Sequence, residues 1–328
     1  MRFSHVCSTG RGCTSLSLFF DISLFQLTML MMAPLIIACL GETIIERSGI
    51  LNVGIEGVVT LGSVTGFLLT YYSGSAIIGC IVAALSGSVL TLLLAYFSIT
   101  LRANQIVIGL GIFVLGLGIS PTIYRLAVGV VQSIPQVPTL KELQIPLLGS
   151  IPFIGEIFFA QNGLVYLSYF LVAAVSYFLF KTPLGLRLRA CGENPRAADT
   201  VGIDVARMRY GACVVGGLFL GVAGAYLPLV ISGSFTDNIV NGRGWLALML
   251  VIFGRWVPVW SFVGALLFAY VDAFQFKVNA LPQYAKLIPP QFLLMLPYVF
   301  AMIVLVQVAR GAESPRALTR PYDREARD

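Results

Sequence analysis

The residues of this chain best suited to chemistry are amides and carboxylates set into apolar sequence. Asn52 and Glu56 stand with Gly54 and Gly57 at the head of one apolar stretch, and Asn104 and Gln105 at the head of another. Asn238 and Asn241 follow Asp237 and lead through Gly242 and Gly244 into Trp245. Such groups hydrogen-bond a neutral polar solute, and an indole such as Trp245 can stack on a flat ring. The competing reading makes them helix ends near lipid headgroups and the tryptophans, Trp256 and Trp260 included, an interfacial belt. Covalent chemistry has little to work with. His5 is the single histidine, and Cys7, Cys13, Cys39, Cys80, Cys191 and Cys213 form no C-x-x-C pair. Zinc sites and histidine-dependent triads therefore lack their ligands, and no metal site is expected.

The elements that position these residues are membrane helices. Of 328 residues, 58% are hydrophobic and 11% charged, against roughly 25% charged in a soluble domain. Apolar runs occupy 24–41, 51–70, 76–97, 105–126, 163–180, 210–231, 244–254, 259–277 and 289–309. Runs approaching 20 residues read as spanning helices, because a bilayer offers backbone groups no partner outside their own helix. The expected fold is an all-α polytopic bundle of eight to nine membrane segments with broken helices, the seventh being short for a full crossing. Soluble enzymes, disulfide-rich secreted domains and nucleic-acid binders are excluded. Gly-rich interruptions at the second and seventh segments read as a weak internal duplication around a central binding region. The pairs Gly62/Gly66 and Gly217/Gly221 suit close helix packing. Glu46 beside Arg47 reads as an anchor at the inner interface. Asp272 and Gln275, late in the eighth segment, either face a pathway or snorkel outward.

Three regions follow: a polar start at 1–23, a membrane domain at 24–309 and a tail at 310–328. If the Lys181–Arg209 connection is cytoplasmic, 14 of the 21 basic residues lie inside, which favours amino terminus out and carboxyl terminus in. Residues 127–162, with Pro135, Pro138, Pro146 and Pro152, then form the main external loop, extended or in short pieces. The tail reads as a solvated end.

The 181–209 connection carries its own signals. Thr182-Pro183 and Gly185 break the preceding helix, Asn194-Pro195 starts a short new one, and Gly202 can end it. By composition alone this is an amphipathic interfacial helix. The stretch nevertheless resembles the cytoplasmic coupling segment of ATP-binding-cassette importer permeases of the nucleoside, riboflavin and simple-sugar type, related to the ribose and branched-chain amino-acid permeases. Three further blocks share the resemblance: Glu46–Gly57, Leu101–Gly109 and Ser234–Trp256. Their order and spacing look most similar to the shorter permease subunit of nucleoside-type systems.

The resemblance implies one half of a translocation pore, with docking to a cytoplasmic ATPase assigned to Gly192, Glu193, Asn194, Pro195, Ala197, Ala198 and Gly202. Pathway candidates are Asn52, Glu56, Asn104, Gln105, Asn238, Asn241 and Trp245. The chain has no G-x-x-x-x-G-K-[ST] phosphate loop, so ATP and magnesium belong on a partner ATPase and this chain is not expected to be an enzyme. A second permease, an external substrate-binding protein and the bilayer are the other implied partners. A nucleoside ranks first as solute, riboflavin second and a simple sugar third. The rival class is an ion-coupled secondary transporter, with Glu56 and Asp272 supplying the ion site.

Overall fold

The computed structural model describes residues 21–129, 135–144, 154–280, 289–309, 311 and 313–323. Most of the polar start, His5, Cys7, Cys13, Pro146 and Pro152 lie outside the described residues. The chain runs through α1 (Ile22–Arg47), α2 (Ile55–Ser73), α3 (Ala76–Ala95, continued as a π turn to Thr100) and α4 (Gln105–Val128). Next come strand β1 (Glu142–Gln144), α5 (Ile154–Phe158), strand β2 (Ala160–Asn162) and α6 (Gly163–Lys181). Then follow α7 (Pro183–Glu193), α8 (Pro195–Thr200), α9 (Val205–Tyr226, continued as a π turn to Ser232), α10 (Arg243–Phe253), α11 (Pro258–Ala280) and α12 (Pro290–Ala309). The two strands form a small antiparallel ribbon pairing Glu142 with Asn162 and Gln144 with Ala160, so the described part of the connection between α4 and α6 is made of short pieces.

Two long helices make the centre. The apolar windows of α1 and α9 are 67% and 61% buried, whereas those of α4 and α6 are 22% and 28% buried. Each central helix lies against the other half of the chain: α9 packs on α2 and α3, and α1 on α10 and α11. Both are followed by a break and then a helix with glycine at its head, Gly54 before α2 and Gly242 before α10. The two halves thus share this order of a central helix, a break and a glycine-headed helix. One glycine of each pair meets the other, since a Cβ on Gly62 would lie 2.5 Å from the Gly221 carbonyl oxygen; Gly66 instead faces the Ala225 Cβ at 2.6 Å, and Gly217 packs on Gly87 and Ser88 of α3. Without side chains between them, the α2 and α9 backbones approach closely and their dispersion contacts multiply.

Among the described residues, six helices (α1, α3, α4, α6, α9 and α11) are long and apolar enough to cross a bilayer. The segment at 244–254 is an 11-residue helix, about 16 Å long at 1.5 Å per residue and unable to span alone. Other boundaries also differ from the apolar runs. The first helix continues past residue 41 through Glu42 and Glu46 to Arg47, because buried partners satisfy both carboxylates in part. The sixth apolar run begins at Val205, where the Asp204 side chain caps the helix by accepting from Arg207 N.

The described tail residues are docked on the bundle rather than forming a solvated end. Ala317 N donates to the Gly192 carbonyl at 2.9 Å, Arg102 pairs with Asp323 at 2.5 Å, and Tyr322 packs against Cys191, Ala198 and Val205. These contacts gather the tail, the 181–209 connection and the carboxyl end of α1 at one end of the bundle. At the other end Asp21 pairs with Lys277, Tyr72 donates to the Ala127 carbonyl and Arg125 pairs with Asp237.

Candidate pathway and coupling surface

The turn between α1 and α2 is held by side chains. Glu42, fully buried, accepts from Asn52 N at 3.2 Å and from Asn52 Nδ2 at 3.1 Å, while Asn52 Oδ1 accepts from Gly54 N. Gln105 Oε1 accepts from Leu51 N at 2.8 Å. Away from water these backbone groups would otherwise lose several kcal/mol each, so the amides of Asn52 and Gln105 act as internal staples. Asn104 is exposed and caps α4, accepting from Ile106 N and Val107 N.

The second break is closed from across the bundle. Residues 233–242 leave Gly233 at φ +71 and end at Gly242 at φ +81, the left-handed backbone that glycine adopts without strain. Gly242 N donates to Glu56 Oε1 at 2.7 Å and Gly244 N to Glu56 Oε2 at 2.6 Å. The Glu56 carboxylate thus lies in the first turn of α2 and also caps the amino end of α10, where two helix dipoles favour negative charge. A Cβ on Gly244 would come 2.6 Å from Glu56 Oε2, so only glycine lets the carboxylate in. Around this node Tyr298 donates to the Asn241 carbonyl at 3.0 Å, and Arg243 faces Asp272 at 3.7 Å. Asn238 donates to Asn241 Oδ1 at 3.3 Å, with both side chains exposed. Trp245 meets the Phe113 ring of α4 edge-on, centroids 5.5 Å apart.

At the other end, α7 and α8 form a capped pair. Thr182 Oγ1 accepts from Gly185 N, and Asn194 Oδ1 accepts from Ala197 N. Gly202, at φ +83, donates to the Asp199 carbonyl and ends α8. Glu193, Asn194, Ala197 and Gly202 are exposed and Pro195 half-buried, whereas Gly192 and Ala198 are buried. Gly192 abuts the Arg47 carbonyl, leaving no room for a Cβ. Arg209 Nε donates to the Ser48 carbonyl at 3.1 Å, tying the foot of α9 to the end of α1. Trp256 Nε1 donates to Glu46 Oε2 at 2.5 Å, and Arg47 Nε to the Trp256 carbonyl at 3.1 Å.

The sequence compares clearly with known proteins. The model of the branched-chain amino acid transport system / permease component family matches residues 24–306. The chain belongs to that permease family. The permease is 35% identical to the guanosine ABC transporter permease of Bacillus subtilis, over 90% of its own length and 94% of the relative's. It is 37% identical to a nucleoside ABC transporter permease of Lactococcus lactis, over 87% and 91% of the two chains. A putative glucose ABC transporter permease of Haloferax volcanii is 34% identical over 93% and 99%. No solved structure matches it significantly. The helices and the family together make this a multi-pass membrane protein.

Within the permease, the seven pathway candidates separate. Glu56, Asn238, Asn241 and Trp245 come together at the head of α10, while Asn52 and Gln105 sit buried at the turn after α1 and Asn104 on the adjoining end of α4. Glu46 is buried rather than an anchor at a surface, and Trp256, 3% exposed, belongs to the core rather than to a belt; Trp260 is exposed as a belt residue would be. Sequence reasoning passed over Glu42, Arg243, Tyr298, Arg209 and Ala317. Glu42 had a signal, an acid one residue beyond an apolar run. Ala317 had none, since its part is played by a backbone N–H.

Proposed function

We propose that this permease forms half of the solute pathway of an ATP-binding-cassette importer in the cell (inner) membrane, with a nucleoside as its solute. The match to guanosine and nucleoside permeases over about nine-tenths of each chain carries the reading. The head of α10 supports it: exposed Asn238 and Asn241 offer amides for hydroxyls and base edges, and the Trp245–Phe113 pair offers an aromatic edge for a purine. The putative glucose permease among the relatives favours a simple sugar as the second reading. An ion-coupled carrier is less well supported, because Glu56 is engaged by two backbone N–H groups and Asp272 by Arg243.

The tail and the 181–209 connection share one end, and the basic residues favour that end as cytoplasmic. The chain then passes the membrane nine times, with α2 and α12 as crossings and α10 completed by the turns of residues 233–242. The membrane domain is 24–309, preceded by the polar start 1–23 and followed by the cytoplasmic tail 310–328. A second permease, most simply a related chain, supplies the facing wall. An external binding protein delivers solute, and a separate ATPase holds ATP and magnesium. The exposed residues Glu193, Asn194, Ala197 and Gly202, with half-buried Pro195, meet the ATPase, while Gly192 and Ala198 pass its movement to the end of α1. In proteoliposomes holding the four components, ATP should drive guanosine uptake, and replacing Glu193–Pro195 with glycines should leave ATP hydrolysis running without transport. Uptake that survives without ATP but stops when a proton gradient is collapsed would overturn the reading.

A further inference from the structure

Two charged residues meet beside the head of α10 without being buried. Arg243 opens α10 and Asp272 stands on α11, their side chains 18% and 21% exposed. The 11 residues of α10 measure about 16 Å, and Trp256, just past their far end, is tied to Arg47 at the cytoplasmic side. The head of α10 therefore stands about halfway across a bilayer core of about 30 Å. Charges left partly open at that depth face a watery cavity or protein, because acyl chains cannot solvate them. Exposed Asn238, Asn241 and Tyr298 lie around the pair, and Tyr298 donates to the Asn241 carbonyl at 3.0 Å. Asp272 thus lines the wetted side of the bundle and does not reach the outer surface.

The two side chains differ in what they have to spare. Arg243 Nη1 is held by the Ile239 and Val240 carbonyls, both at 3.4 Å, which ties the guanidinium to the turn ahead of its own helix. No N–H or O–H among the described residues donates to Asp272, whose ion-pair partner Arg243 Nη2 lies 3.7 Å away. That gap is too long for a hydrogen bond. Both carboxylate oxygens therefore keep free acceptor sites while Arg243 balances the charge. Glu56, the other acid at this node, is already engaged by Gly242 N and Gly244 N. Arg243 repels a cation here, and the two acids repel a phosphate. A balanced carboxylate with two open oxygens suits a neutral solute that brings two donors side by side, such as neighbouring hydroxyls.

We propose that Asp272 reads the vicinal diol of the solute's sugar ring, accepting from the 2′ and 3′ hydroxyls of a ribose while Arg243 holds the charge. Carboxylates bind ribose hydroxyls in the same way in dinucleotide sites. The assignment rests on the importer reading and deepens it, leaving the amides of Asn238 and Asn241 for the base.

The test compares guanosine with 2′-deoxyguanosine, which lacks one of the two hydroxyls. Proteoliposomes hold the permease with its second permease and ATPase, and binding protein is supplied in excess, already loaded with either solute. With ATP, the wild type should move guanosine about tenfold faster, the effect of one hydrogen bond to a charged acceptor. Asp272→Asn keeps the shape but makes neutral bonds of about half the strength, so the ratio should narrow to about threefold through slower guanosine uptake. Equal rates in the wild type, or a variant that slows both solutes alike and keeps the ratio, overturn the assignment. ATP-driven guanosine uptake would still uphold the importer reading in either case. A wild type that moves neither nucleoside overturns the nucleoside reading instead. Glucose against 2-deoxyglucose then decides the diol by the same comparison, and rates that are equal or nil there overturn it too.

Discussion

The Glu56 carboxylate of α2 caps α10 by accepting from Gly244 N at 2.6 Å and from Gly242 N at 2.7 Å. A half-length helix can begin inside a membrane protein only if its first N–H groups find acceptors, and this carboxylate supplies two. Glu56→Ala should therefore lower the stability of the detergent-solubilised protein by about 2–4 kcal/mol, the range for losing a buried charged acceptor and stranding its donors. Glu56→Gln keeps one acceptor oxygen and should retain the fold with slower transport. Thermal unfolding followed with a thiol-reactive dye separates the two; equal melting of Glu56→Ala and wild type would refute the capping role.

The glycines divide by what surrounds them. A Cβ on Gly62 meets the Gly221 backbone at 2.5–2.7 Å, whereas Gly111 has nothing within 4 Å. Gly62→Val should abolish recovery of monodisperse protein, because two backbones would have to separate. Gly111→Ala should be tolerated or slightly stabilising in an exposed helix. Size-exclusion profiles of the two variants give the answer, and matched profiles would contradict the packing.

The tail is bound by few contacts, so it should be easy to release. Ala317→Pro removes the N–H that donates to the Gly192 carbonyl. Chymotrypsin should then cut after Leu318 several times faster than in wild type, with the membrane helices intact. The exposed Arg102–Asp323 pair contributes little in water, so Asp323→Ala should change the cleavage rate only slightly.

Cys191 reports on the same junction. It is buried beneath the tail with Ala198, Val205 and Tyr322, and burial raises its thiol pKa above the ordinary value while Arg209 nearby opposes the shift. At neutral pH the thiol stays protonated, so maleimide labelling should be slow and should rise only as the pH is raised beyond the usual thiol range. Releasing the tail with Ala317→Pro should accelerate labelling at fixed pH. Fast labelling of the wild-type residue at pH 7, followed by mass spectrometry, would show that the tail does not cover it.

Much of this protein was legible from the chain alone. Continuous apolar runs must become helices in a bilayer because backbone groups have no other partner there, so the all-helical membrane fold follows from composition. Local capping chemistry did the same for α8, where Asn194 and Gly202 act on backbone groups within a few residues of themselves, whereas Thr182 and Gly185, read as a break alone, also begin the helix α7. The four sequence blocks likewise pointed to the family that residues 24–306 match.

Tertiary structure decided what each polar residue is for. Glu56 and Gly244 are 188 positions apart, as are Arg209 and Ser48 by 161, and no local pattern reports such a meeting. Asn52 and Asn241 look alike in sequence, yet one is stapled inside a turn and the other stands exposed at the head of a broken helix. The difference lies in which partner reaches each side chain. A buried hydrogen bond depends on distance and direction between elements, and these exist only once α1, α2, α9 and α10 have packed.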